Sequence, residues 1–163
     1  MKNSNISDHC KDDRPTWDQY YMGVAKLISS RTTCLRRAVG CVLTLDNRIL
    51  STGYNGTPVG VTHCEKKGCI RELLNVPSGE RHEMCRGLHG EQNALLQCAL
   101  HGISTKDSVL YSTTFPCSVC AKLLINAKVK KIIFLQEYKD DLSKELLYEA
   151  GIEIIKYEEP NEN

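Results

Sequence analysis

"SVLYSTTFPCSVCAKLLINAKVKKIIFLQ", residues 108–136, moves from one structural period to another and back again. Residues 108–112 read as a strand, residues 118–127 as a helix, and residues 131–135 as a second strand rich in β-branched and aromatic side chains. A strand, a helix and a strand in so short a space form a crossover unit, whose two strands run parallel in one sheet. The flanking sequence extends the pattern. Downstream, a helix over 141–150 and a strand over 153–157 repeat the crossover. Upstream lies a helix over 89–100. Before it, strands over 38–45 and 48–54 flank the turn pair Asp46-Asn47 and so form a hairpin. At the front, Thr16 and Gln19 have the form of a capping box, and Tyr20, Tyr21, Val24, Leu27 and Ile28 follow at helical spacing, which predicts a helix over 17–30. The alternation predicts an α/β sandwich. In such sheets, reactive groups collect at strand ends and helix N-termini.

At 163 residues the chain is read as one domain, spanning 1–163 with its core over about 16–157. The net charge of +1 gives no sign of a large basic footprint for nucleic acid, and the KVKK at 128–131 is too short to supply one. No apolar run approaches the ~20 residues that span a bilayer, and MKNSNISDHCKDD does not read as a secretory signal. A soluble, cytoplasmic protein without membrane contact is expected. Nine cysteines, an odd number with no export signal, point to thiolates used as metal ligands or in catalysis rather than to disulfides. Cys41 and Cys98 sit in apolar runs and read as small buried hydrophobes. Cys10 and His9 belong to a polar tail, and His101 to a helix C-terminus.

Pro116 and Cys117-x-x-Cys120 open the helix over 118–127. Residues three apart at a helix start share a face, with Cβ atoms roughly 5–6 Å apart, and the positive end of the helix favours ionised thiols. Alone, the pair could be a redox couple or a structural zinc knuckle. The second half of the constellation is His89-Gly90-Glu91, at the head of the helix over 89–100; an isolated His-x-Glu there is equally a capped surface helix. Together the halves supply three metal ligands, His89, Cys117 and Cys120, which leaves a coordination position for water. Glu91 starts the same helix as His89 and can carry protons between that water and a substrate. His-x-Glu followed by Pro-Cys-x-x-Cys is the signature of zinc nucleobase deaminases.

With HGEQNA at 89–94, FPCSVC at 115–120 and GYNGTPVG at 53–60, the chain resembles the deoxycytidylate (dCMP) deaminases of the cytidine deaminase-like superfamily, from about residue 20 to 157. The resemblance implies a three-layer α/β/α sandwich around a central five-stranded mixed sheet. It implies zinc-dependent hydrolysis of dCMP to dUMP and ammonia, with Glu91 as proton shuttle. By resemblance Asn55 binds the sugar, and backbone N–H groups at Gly90 and Phe115 hold the base carbonyl. Tyr138 would lie near the nucleotide. The family is commonly oligomeric, a hexamer being favoured over a dimer or tetramer, with dCTP activating and dTTP inhibiting, often with Mg2+. Gly53, Tyr54 and Gly56 would belong to that regulatory region. Gly90 departs from the pattern, because alanine is commoner there. Arg36 and Arg37 are candidates for a substrate or effector phosphate, or are a solvated surface pair.

Residues 55–88 read as one long irregular insertion rich in Gly, Pro, Cys and charge, and a bound ion is one reason to keep it. Some members of the family that this chain resembles carry a second, structural zinc. Cys34, Cys64, His82 and Cys85 are its expected ligands here, with Cys69 as alternate and His63 as a loop side chain. The competing reading is a group of reduced thiols. Two rival functions remain open: a deaminase of another cytosine nucleotide such as dCTP, and a non-catalytic zinc-binding assembly subunit.

Overall fold

Five strands form one sheet in the computed structural model, which describes residues 14–160. The elements in chain order are α1 (Trp17–Ser29), β1 (Gly40–Leu45), β2 (Arg48–Tyr54), α2 (Cys64–Lys67), α3 (Ile70–Leu73), α4 (Gly90–Leu100), β3 (Val109–Thr114), α5 (Ser118–Asn126), β4 (Lys131–Gln136), α6 (Asp141–Glu149) and β5 (Glu153–Lys156). The strand order is β2-β1-β3-β4-β5. β1 is antiparallel to both β2 and β3, whereas β3, β4 and β5 are parallel. The expected mixed five-stranded sheet is therefore present, with its parallel half built from the two crossovers around α5 and α6.

The β1–β2 hairpin turns at Asp46 and Asn47, whose φ angles of 48° and 57° are the left-handed pair that a tight two-residue turn requires. Side chains then divide by the two-residue period of a strand. Cys41, Leu43, Leu110, Ile132 and Phe134 face a core shared with Ala94, Cys98, Ala121, Leu124 and Leu147 of α4, α5 and α6. Val42, Tyr111 and Ile133 face the other way, onto Tyr21, Met22 and Ala25 of α1. β1 is buried along nearly its whole length because helices cover both of its faces. Cys41 and Cys98 are core side chains, as expected. The capping box at α1 is also formed: Thr16 Oγ1 accepts from Gln19 N–H, and Gln19 Oε1 accepts from Thr16 N–H.

Two boundaries shift in ways that bear on the site. β1 begins at Gly40, not at 38, and α4 begins at Gly90, which leaves His89 as its N-cap. The insertion is less irregular than expected. It carries α2, α3 and a 3-10 turn at His82–Met84, and its ends are tied by a β-bridge between Gly56 and Leu88. Among the described residues no helix is long and apolar enough to cross a membrane. Cys10 and His9 lie outside the described residues.

Candidate active site

Two helix starts meet at the C-terminal end of β3. His89 is the N-cap of α4 and Cys117 the N-cap of α5. His89 is held from below, since its N–H donates to Gln92 Oε1 at 2.8 Å. The start of α5 is held by Asp140, whose two carboxylate oxygens accept from Ser118 N–H at 2.8 Å and Ser143 N–H at 3.0 Å. One side chain thus caps α5 and α6 together. Ser143 Oγ adds a bond to the Pro116 carbonyl at 2.7 Å.

These restraints bring His89 Nδ1 to 3.3 Å from both Cys117 Sγ and Cys120 Sγ. The donor atoms of the three residues all lie within 4.8 Å of one another. A tetrahedral ion with bonds of about 2.3 Å to sulfur and 2.0–2.1 Å to nitrogen separates those ligands by about 3.5 Å, so the residues fit zinc. Electrostatics agree. Hydrogen bonds from Cys120 and then His89 hold the Cys117 thiol down at about 4, against the effect of burial. Cys120, the donor in that bond and deeply buried, is pushed well up, and the same contact with Cys117 raises His89. A divalent cation would release the remaining protons and stabilise both thiolates.

Glu91, in the first turn of α4, is 4% exposed, and its Oε2 accepts from Cys120 Sγ at 3.5 Å. Burial pushes its carboxyl above the ordinary range, partly offset by His89. A carboxyl raised in this way is suited to taking up and releasing a proton. His89, Glu91 and Cys117 line one pocket with Asn55, Phe115 and Tyr138, and Arg36, Arg37, Arg71 and His82 complete its wall.

The other expected contacts are only partly available. Asn55 lines the pocket, but its Oδ1 accepts from Val39 N–H and Thr32 Oγ1, and its Nδ2 donates to the Arg37 carbonyl. It staples the loop before β1 to the end of β2, with one amide hydrogen left for a ligand. Phe115 N–H is committed to the Gln136 carbonyl at 2.8 Å, so this backbone donor cannot hold a base carbonyl as expected. Gly90 N–H, in the first turn of α4, has no acceptor inside the helix. Tyr138 is at the pocket, its OH 3.3 Å from His82 Nε2, with the Arg37 guanidinium 5.0 Å from its ring centre.

Gly53 is packed on α4. A Cβ there would lie 2.1 Å from the Gly90 carbonyl oxygen and 2.4 Å from Ala94 N, so β2 touches α4 backbone to backbone. Gly90 lies in the same close packing: an added Cβ would meet Cys41 Sγ at 3.1 Å, so alanine there needs a small shift of the neighbouring side chain. Gly56 pairs with Leu88, and Tyr54 is half-exposed with its carbonyl accepting from Asn93 Nδ2.

The expected second ligand set does not assemble. Among the described residues, His89, Cys117 and Cys120 are the one His/Cys/Asp/Glu group whose donor atoms converge. The His82 ring instead packs on His89, centres 5.0 Å apart, and meets Tyr138. Cys34, Cys64, Cys69 and Cys85 remain in the pocket wall as free thiols. His63 bonds Thr57 Oγ1, and His101 ends α4, exposed. Asp140 and Arg71 were missed by the sequence reading. Asp140 three residues before Ser143 was a legible cap signal, whereas nothing local marked Arg71.

A sheet of this order with two helix N-termini holding His, Cys and Cys defines a class. Residues 15–136 match the cytidine and deoxycytidylate deaminase zinc-binding region, and the chain belongs to that family. The resemblance read from HGEQNA, FPCSVC and GYNGTPVG is borne out at the level of particular proteins. The chain is 37% identical to the deoxycytidylate deaminase of Schizosaccharomyces pombe over 90% of its own length and 46% of the relative. It is 33% identical to that of Mycobacterium phage D29, over 76% and 98%. The dCMP deaminase of cyanophage S-TIM5, solved in complex with dCMP and dUMP, superposes with a TM-score of 0.72 at 32% identity, covering 88% of this chain and 98% of that one. The chain spans about half the length of its two yeast relatives.

Proposed function

We propose that this chain catalyses the hydrolytic deamination of dCMP: water adds at C4 of cytosine, the C4–N bond breaks, and dUMP and ammonia leave. The observation that carries the reading is Glu91, a buried carboxylate 3.5 Å from Cys120 beside a three-donor site. A site that only braced a fold would have no use for it. His89, Cys117 and Cys120 would hold the zinc, and when bound the ion supplies a Lewis acid that brings the pKa of water to about 7. Glu91 takes the proton from the attacking water. It delivers that proton to N3 of the ring and then serves the departing amine. Its raised pKa suits both directions of transfer. The remaining amide hydrogen of Asn55 and the N–H of Gly90 are donors for sugar and base, and the half-buried Tyr138 closes one wall. The cyanophage relative, with dCMP and dUMP as its ligands, supports the substrate.

Homo-oligomer formation and control by dCTP and dTTP with Mg2+ are inferred from the family resemblance. So is dUMP supply for thymidylate as the role of the reaction. The test is release of ammonia by the zinc-loaded protein from dCMP, dCTP and deoxycytidine, each with and without added dCTP or dTTP, with sedimentation run alongside. Preference for dCMP is the expected result. Preference for dCTP would reassign the substrate, and zinc binding without any turnover would leave an assembly module.

A further inference from the structure

The insertion adds a cation to the pocket that the deaminase motifs do not contain. Arg71, on α3, is only 8% exposed. Its Nη2 donates to the Pro77 carbonyl at 3.3 Å, while its buried Nε has no partner. Arg36 reaches the same turn from the segment before β1. Its Nη2 donates to the neighbouring carbonyl, Val76, at 3.0 Å, and its buried Nη1 has no partner. Val76 N–H in turn donates to the Arg71 carbonyl at 2.8 Å, which closes the turn. Two guanidiniums are therefore pinned to adjacent carbonyls, each with one unpaired, dehydrated N–H, and both line the pocket that holds His89 and Glu91.

Among the described residues, no carboxylate forms a salt bridge with either. A buried guanidinium N–H without an acceptor is costly unless an anion completes it. The planar fork of arginine matches the oxygens of a phosphate, and two forks match a dianion.

Resting on the deaminase reading above, we propose that Arg71 and Arg36 form a clamp for the 5′-phosphate of the substrate, so that the insertion makes this pocket a nucleotide site rather than a nucleoside site. Arg71 is then a specificity-determining residue supplied from outside the zinc motifs.

The experiment compares dCMP with deoxycytidine in the zinc-loaded protein and in Arg71→Met, Arg71→Lys and Arg36→Met, each accepted as folded by zinc content and melting temperature. In Arg71→Met and Arg36→Met, kcat/KM for dCMP falls on the order of 10–100-fold, mainly through KM, while turnover of deoxycytidine is unchanged. Lysine recovers part of the loss. An arm that needs no variant uses inorganic phosphate: in the unaltered protein it competes with dCMP and does not inhibit deoxycytidine turnover. A folded Arg71→Met that keeps its preference for dCMP overturns the clamp, as does phosphate that inhibits both substrates or neither. If the unaltered protein does not prefer dCMP at all, the functional reading of the preceding subsection fails instead.

Discussion

His89, Cys117 and Cys120 on one side, and Cys34, Cys64, His82 and Cys85 on the other, are built from the same two residue types within one small sandwich. The first group sits on the opening turns of α4 and α5, helices of 11 and 9 residues packed against the sheet, with their starts held by Gln92 and Asp140. The second is spread over a loop before β1, one helix of four residues and a 3-10 turn of three. Its thiols are neighbours. Burial raises Cys64 above its ordinary value, and Cys85, Cys34 and Cys69 add to the shift. Their donor atoms nonetheless fail to converge as the first set does. Ligand chemistry needs side chains whose backbones are already fixed, and regular elements on a sheet supply that where short turns do not.

The sharpest test of that contrast is Cys117→Ser. Zinc measured by elemental analysis falls by one equivalent per chain, and dCMP turnover falls by more than about 10⁴-fold, because the means of activating water goes with the ion. Next in size is Glu91→Gln, which retains the zinc while turnover falls by about 10²–10⁴-fold, the usual contribution of a positioned acid–base. Near-normal turnover in this variant would remove Glu91 from the chemistry. Gly53→Ala then probes the scaffold rather than the reaction. Its Cβ meets backbone at 2.1 Å, so α4 must move off β2 and the protein loses about 1–3 kcal/mol or more, read as a lower melting temperature with His89 displaced. Asp140→Ala costs about 1–2 kcal/mol by uncapping α5 and α6, and weakens zinc retention more than it weakens the fold elsewhere. The smallest effect belongs to Cys64→Ser, which leaves zinc content unchanged. Loss of a second equivalent there would break the comparison, since it would mean that the insertion closes around an ion of its own.

Element types were legible in residues 108–136 because strands and helices announce themselves by periods of two and 3.6 residues. The candidate catalytic set was legible for a related reason. Helix starts carry their own signals, and Cys117 and Cys120 three apart, or His89 and Glu91 two apart, have positions that a single helical turn dictates. Phe115 was misread because its N–H goes to Gln136 on β4, a partner that no local spacing reveals. Gly53 was legible as part of the strand over 48–54, but not that its neighbour there is the backbone of α4. His82 was grouped with the cysteines by analogy with relatives that carry a second zinc, whereas in the structure it packs on His89 and meets Tyr138.

What the sequence determined by itself is the alternation of elements, the hairpin at Asp46-Asn47 and the identity of four reactive side chains, all properties of segments a few residues long. What only the tertiary structure decided is which groups from the insertion come to stand around those four. Arg71 and Arg36 are brought to one turn, and His82 is packed on His89, by a segment with no period of its own. Its course depends on contacts between residues far apart in the chain, and no local pattern encodes those.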